Sequence, residues 1–196
     1  MRRYERIRLF QSDFLEYFSV VHPSIPAFLY VPVLIYCLIH IKMTAVALFL
    51  IFSGIFCWTF VEYSLHRFLF HLPINTKWAK KISYIIHGIH HRDPRDPLRL
   101  VAPPVMSLSI GLFLVYFFSR FFTIDQLYSF IFGFTLSYLC YDYLHWMLHH
   151  NRSKNILFYY LRRNHAIHHH HNPPIRFGVT SPLWDFIFNT YTITKK

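Results

Sequence analysis

Four apolar runs separated by polar sequence set the outline of this chain; they cover residues about 27–41, 43–63, 105–122 and 124–144. A helix needs about 20 residues to cross the hydrocarbon core of a bilayer. The second, third and fourth runs meet that length, while the first needs help from flanking residues. The breaks at His40–Lys42 and Thr123–Asp125 are very short, so each reads as the tip of a helical hairpin. The pattern predicts one domain, residues 1–196, with the fold class of an all-α integral membrane protein whose four transmembrane helices form two hairpins. Two polar segments remain, residues 64–104 and 145–196.

Parity puts the N-terminus and both polar segments on one side of the membrane. Positive residues favour the cytoplasmic side. Of the 20 Lys and Arg, only Lys42 and Arg120 fall at the hairpin tips. Arg2, Arg3, Lys195 and Lys196 are counted among the others. The termini and the polar segments are therefore expected in the cytoplasm.

Composition changes this picture little. Hydrophobic residues make up 54 % of the chain, with 22 Phe and 14 Tyr, which suits the bilayer and its interfaces. The formal charge is +11, but the charges flank apolar runs and form no stripe. That speaks against nucleic acid and for anionic headgroups or an acidic protein partner. Cys37, Cys57 and Cys140 lie inside apolar runs without metal-binding spacing, and read as small buried apolar residues.

Candidate chemistry enters with histidine, which supplies 15 of the 196 residues. Ten of these fall in four groups: His66 and His71; His87, His90 and His91; His145 and His149; His165, His168 and His169. Residues at i, i+3 and i+4 share a helix face, so each triplet and the 145/149 pair can aim several imidazoles at one spot. His66 and His71, five apart, are separated around a regular helix; they must straddle the helix end or serve different metals. Imidazole suits iron, zinc, copper or nickel, and ten are too many for one ion but right for two. A ligand field without Cys argues against a thiolate-type structural zinc site. Metal-bound imidazoles need an acceptor for the other ring nitrogen, and Glu62 and Asp142, one turn before His66 and His145, are placed to supply it. The other reading of these two is a simple hydrogen bond or an ion pair with a nearby Arg. His22 and His40 read as isolated histidines; His150, His170 and His171 fall off the shared faces.

The segments HRFLFH (66–71), HGIHH (87–91), HWMLHH (145–150) and HAIHH (165–169) resemble the fatty acid hydroxylase/sterol desaturase superfamily. HGIHHRDPRDPLRLVAPP, YDYLHWMLHH and FGVTSPLWDFIF resemble its fatty acid 2-hydroxylase, or sphingolipid α-hydroxylase, branch; the likeness runs from about Gly54 to Tyr191. The resemblance implies a cytosolic helical cap, residues 64–104 and 145–196, carrying a dimetal site with the ten histidines as ligands. It implies two iron ions, replaceable by zinc in isolated protein, with O2 as co-substrate. It names no catalytic side chain beyond the metal centre. The implied activity is insertion of a hydroxyl beside the acyl carboxyl carbon of a lipid drawn from the bilayer. Several family members carry an N-terminal cytochrome b5 domain. Here about 26 residues precede the first run, and His22-Pro23 lacks the Gly-Gly of a haem loop, so a separate electron-donor protein is expected. A bacterial inner membrane is the expected location, or the endoplasmic reticulum for a eukaryotic protein. Trp58, Phe60, Tyr63, Tyr141, Tyr143 and Trp146 either wall an acyl channel or anchor at the interface. The basic face either steers an acidic donor or only orients the chain. Two rival functions stay open: a sterol or carotenoid oxidase or hydroxylase of the same superfamily, and a non-enzymatic metal-binding or metal-transporting membrane protein.

Overall fold

The computed structural model describes residues 6–192; Arg2, Arg3, Lys195 and Lys196, counted for orientation above, lie outside them. Among the described residues the regular structure is entirely helical. A short helix α1 (Asp13–Phe18) precedes α2 (Ser24–His40) and α3 (Ala45–Ser64). The last runs straight into a π-helical turn, Leu65–Phe70. In the first polar segment α4 (Lys77–Ser83) passes through a second π turn, Tyr84–Gly88, into α5 (Ile89–Arg92). Then follow α6 (Pro104–Phe118), α7 (Ile124–His150), α8 (Ile156–His170) and α9 (Leu183–Ile187).

Local sequence sets several of these ends. The Thr44 hydroxyl accepts from the Ala47 amide at the start of α3, satisfying one of the free donors of a helix N-terminus. Gln126 closes the start of α7 by accepting from the Thr123 amide. Pro104 opens α6, where its missing N–H costs nothing.

The four apolar runs thus become α2, α3, α6 and α7. Ala45–Phe70 is the one helix among the described residues long and apolar enough to cross a bilayer; α2 and α6 are apolar but shorter. The outer faces of α2, α3 and α6 expose large apolar side chains such as Phe28, Phe52 and Phe113.

The expected hairpins are corrected in their packing. The short links are there, but α7 packs chiefly along α3 and α2 rather than along α6, its partner across the link. None of the residues of α6 is buried; it stands off from the bundle and leaves a cavity between. The α3–α7 contact is close because each helix brings a glycine to it. A Cβ on Gly54 would meet the Phe130 carbonyl oxygen at 2.2 Å, and one on Gly133 would meet that of Ile51 at 2.0 Å. Small residues allow such backbone approach between membrane helices. Cysteine placement also differs from expectation: Cys37 is buried, Cys57 half-buried, and Cys140 exposed on the outer side of α7.

The N-terminal segment is tied to the loop before α6. Arg6 pairs with Asp96 at 2.6 Å and Arg99 with Glu16 at 2.5 Å, while the Arg99 guanidinium also donates to the Ile7 carbonyl. Asp96 and the Arg99 side chain are almost wholly buried, so removing one partner would strand a buried charge.

Candidate metal centre

The ten histidines come together at the C-terminal ends of α3 and α7, in two groups of five. The first holds His66, His71, His87, His91 and His168; the second holds His90, His145, His149, His165 and His169. Within each group the ligand nitrogens all lie within 4.8 Å of one another.

The π turn explains the five-residue spacing of the first pair. The His71 amide donates to the His66 carbonyl, an i to i+5 bond. The wider turn brings residues five apart to one side, so both rings join the same group. Of the two arrangements left open by the spacing, the structure has His71 at the end of the helical segment, capping it, with both rings together.

The triplets behave differently from expectation. Each divides between the two groups. His87 and His91 go to the first while His90 goes to the second; His165 and His169 go to the second while His168 goes to the first. Residues four apart stay together because they are about 40° apart around the helix; the third residue points to the neighbouring group. The result is reciprocal. Each half of the chain gives four imidazoles to one group and lends one to the other.

The atoms that converge are Nε2. In the first group His66 and His87, and His87 and His91, stand 3.1 Å apart, and His71 and His168 stand 3.0 Å apart. In the second, His90 and His145 are at 3.1 Å, His149 and His165 at 2.8 Å, and His165 and His169 at 3.0 Å. Two imidazole nitrogens about 2.1 Å from one metal ion and at right angles stand about 3.0 Å apart, so these edges fit a metal.

Backbone carbonyls fix three of the rings. His66 Nδ1 donates to the Phe177 carbonyl at 2.5 Å, His168 Nδ1 to Ile175 at 2.8 Å, and His145 Nδ1 to Leu100 at 3.0 Å. A proton on Nδ1 leaves the Nε2 lone pair free to face the group, which is the tautomer a metal requires. Glu62 and Asp142, expected as these acceptors, are not. Glu62 accepts from the Val179 and Thr180 amides and the Thr180 hydroxyl; Asp142 accepts from the Ala102 amide and the Tyr138 hydroxyl. A carboxylate one turn back lies beside the wrong end of the imidazole, and the loops reach its Nδ1 first.

Burial holds all ten imidazoles below their ordinary value, to about 4 for His71 and His145, about 3 for His91 and about 2 for His149. Repulsion between neighbouring rings adds to it for His66, His87, His90, His165, His168 and His169. The rings are neutral at physiological pH and available as ligands. His90, His165 and His169 also hold a buried Nδ1 without a partner among the described residues.

His22, His40, His150, His170 and His171 lie outside both groups. His22 bonds Ser24, His40 the Tyr36 carbonyl, His150 the Trp146 carbonyl and His171 the Pro173 carbonyl.

An apolar cavity of about 780 Å³ runs down from this site; His87, His90 and His145 form its head, and α6 one long wall. Of the six aromatic residues considered for a channel, Trp58 and Tyr141 line it and Phe60, Tyr63, Tyr143 and Trp146 do not. A separate small recess beside Arg162 and His170 touches His149, His165 and His169 from the other side. Residues that sequence reasoning missed are the carbonyl acceptors Leu100, Ile175 and Phe177, and the rings of Phe70 and Phe177 packed against the first group.

Residues 51–190 match the sequence model of the fatty acid hydroxylase family. The dihydroceramide fatty acyl 2-hydroxylase FAH1 of Arabidopsis thaliana is 36 % identical, over 96 % of this chain and 81 % of its own length. The fatty acid 2-hydroxylase of Mus musculus is 36 % identical over 94 % of this chain and 56 % of its own. A solved structure described as full-length scs7p with only its hydroxylase domain visible is 32 % identical. It superposes with a TM-score of 0.84, over 92 % of this chain and 70 % of that one. The plant and the animal relative lend nothing to the expected bacterial inner membrane. With matching sequence over most of its length, the same fold as a solved hydroxylase domain, and two imidazole groups facing one apolar cavity, the chain belongs to the fatty acid hydroxylase family.

Proposed function

We propose that the protein hydroxylates a fatty-acyl chain at the carbon beside the carbonyl, using two iron ions held by the ten imidazoles, with O2 as co-substrate. The observation that carries this reading is the junction of the two imidazole groups with the apolar cavity through His87, His90 and His145. When bound, the irons would supply the activation of O2, of which one atom enters the C–H bond and the other leaves as water with two electrons and two protons from the donor.

The side chains do the rest. The cavity wall takes an acyl tail out of water, and burial of its methylenes contributes roughly 0.8 kcal/mol each. Its head holds the first acyl carbons beside His90 and His145, so position along the chain is set by how far the tail descends. The carbonyls of Phe177, Ile175 and Leu100 keep His66, His168 and His145 in the ligating tautomer. The small recess beside Arg162 and His170 reaches His149, His165 and His169 from outside the acyl cavity, so electrons and protons need not pass the acyl chain.

In this reading α2, α3, α6 and α7 are four spans, the histidine groups and both termini face the cytoplasm, and the lipid enters from the bilayer. A donor protein delivers the electrons to the basic cap. The choice of iron rests on the reaction, since imidazole alone also suits zinc.

The test is lipid mass spectrometry on cells expressing the protein under isotopically heavy O2, with the His145→Ala/His149→Ala double variant as control. Heavy oxygen at the carbon beside the acyl carbonyl, present with the wild type and absent with the variant, is expected. Label confined to another carbon, to a sterol or to a carotenoid overturns the proposal.

A further inference from the structure

The cavity has a built end. Helix α6 lines it along its whole length, from Pro104 through Leu108, Gly111 and Val115 to Phe118. On α7 the matching face descends from His145 through Tyr138 to Ile131. Below that level the space is filled by interlocked phenyl rings. The ring centroids of Phe118 and Phe130 are 4.4 Å apart, those of Phe122 and Phe130 5.1 Å, and those of Phe118 and Phe122 6.1 Å. Phe130 is almost wholly buried in the bundle. It cannot swing aside without opening the core.

We propose that Phe118, wedged on Phe130, is the floor of the acyl site and sets the longest chain the enzyme accepts. This rests on the acyl-hydroxylase reading above. His145 stands fourteen residues above Ile131 on α7, roughly 21 Å at 1.5 Å per residue. Half of a hydrocarbon core of about 30 Å is about 15 Å, so a tail reaching the floor extends beyond one leaflet. The reacting carbon is fixed at the head of the cavity, so chain length is read at the other end. A tail that is too long meets Phe118 and cannot bring its second carbon to the imidazole groups. A shorter one leaves apolar space unfilled and loses burial in proportion.

The same face supplies a second control point. Gly111 lines the cavity and a Cβ added there meets nothing within 4 Å, so this stretch of the wall has room for a larger side chain. It lies two turns above Phe118, roughly 10 Å along the axis.

Purified wild type, Phe118→Ala and Gly111→Phe are compared by two readouts: the chain-length profile of 2-hydroxylated lipid formed in cells, and thermal stabilisation by free fatty acids of graded length in detergent. The expected result is a longest accepted chain that moves up in Phe118→Ala and down in Gly111→Phe, in both readouts. Unmoved profiles in both variants overturn the floor assignment. Stabilisation that shifts with the variants while wild type forms no hydroxylated lipid keeps the floor and overturns the hydroxylase reading. If Phe118→Ala fails to fold, Gly111→Phe alone decides, since it leaves the phenyl cluster intact.

Discussion

Glu62 and His66, one turn apart on the same helical segment, grip the same remote loop from two sides. The Glu62 carboxylate takes the amides of Val179 and Thr180, while His66 donates to the carbonyl of Phe177. The loop is also held from below by Asp185, which accepts from the amides of Phe177 and Gly178. Four successive amides are thus bonded to two buried carboxylates, and the carbonyl that orients His66 cannot drift. The other half repeats the device: Asp142 takes the Ala102 amide, two residues beyond the Leu100 carbonyl that orients His145.

Glu62→Ala is therefore expected to loosen the first imidazole group without touching a ligand. It strands two backbone amides, each costing about 1–3 kcal/mol when buried and unpaired. Loss of an outer partner of a metal ligand lowers metal affinity by about 10–100-fold. Glu62→Gln keeps an oxygen for both amides and should fall between wild type and Ala. Metal titration of stripped protein checks this; equal affinity in all three would show that the loop stands without the carboxylate.

The reciprocal exchange of imidazoles between the two groups makes a sharper prediction. His168 lies on α8 between His165 and His169 but belongs with His71 and His91. His71→Ala and His168→Ala should each cost one metal equivalent, and the double variant should cost no more than one. His165→Ala with His168→Ala should empty both groups. Metal content by elemental analysis decides; a full complement of one equivalent in that last pair would contradict the division of the triplets.

Much of this was legible in the chain. The four apolar runs marked α2, α3, α6 and α7, and regular spacing gathered the ten histidines. Two features were hidden. The spacing of His66 and His71 looked wrong for a helix because it is right for a π turn, and nothing in LHRFLF announces that. The acceptors were hidden because they are backbone atoms: the Phe177 carbonyl is 111 residues from His66, and a carbonyl has no sequence signature. The triplets misled for a simpler reason. One helix can feed two groups of imidazoles, and only the tertiary arrangement says which ring goes where.

Acid should destabilise the metal-free protein. In the native state His71 and His145 take up protons only near pH 4, whereas imidazoles of the unfolded chain do so near pH 6.5. Above about pH 6.5 neither state binds these protons and stability is flat. Below it the unfolded state binds more, so stability falls as pH drops from about 6.5 towards 4, at up to about 1.4 kcal/mol per pH unit for each such imidazole. Bound metal competes with protons and should carry the fall to lower pH. Melting of chelator-treated and metal-loaded protein across this range checks both statements; coincident, flat profiles would refute them.

Two glycines in this protein should respond to alanine with opposite sign. At Gly133 the new methyl would stand 2.0 Å from the Ile51 carbonyl oxygen, and backbone cannot step aside as a side chain can. The helices α3 and α7 must separate, and a misfit of this kind costs about 1–3 kcal/mol or more. At Gly111 the methyl meets nothing within 4 Å, and the gain in helix propensity is about 1 kcal/mol. Gly133→Ala should thus melt earlier than wild type and Gly111→Ala slightly later. The contrast also separates the roles of α7 and α6. Because the π turn that continues α3 carries His66, and α7 carries His145 and His149 near its C-terminus, parting the two helices at Gly133 should lower metal retention as well. α6 carries none of the ten histidines, so Gly111→Ala should leave metal content at the wild-type level. Metal loss from Gly111→Ala matching that from Gly133→Ala would mean that α6, and not the α3–α7 contact, holds the two groups in register.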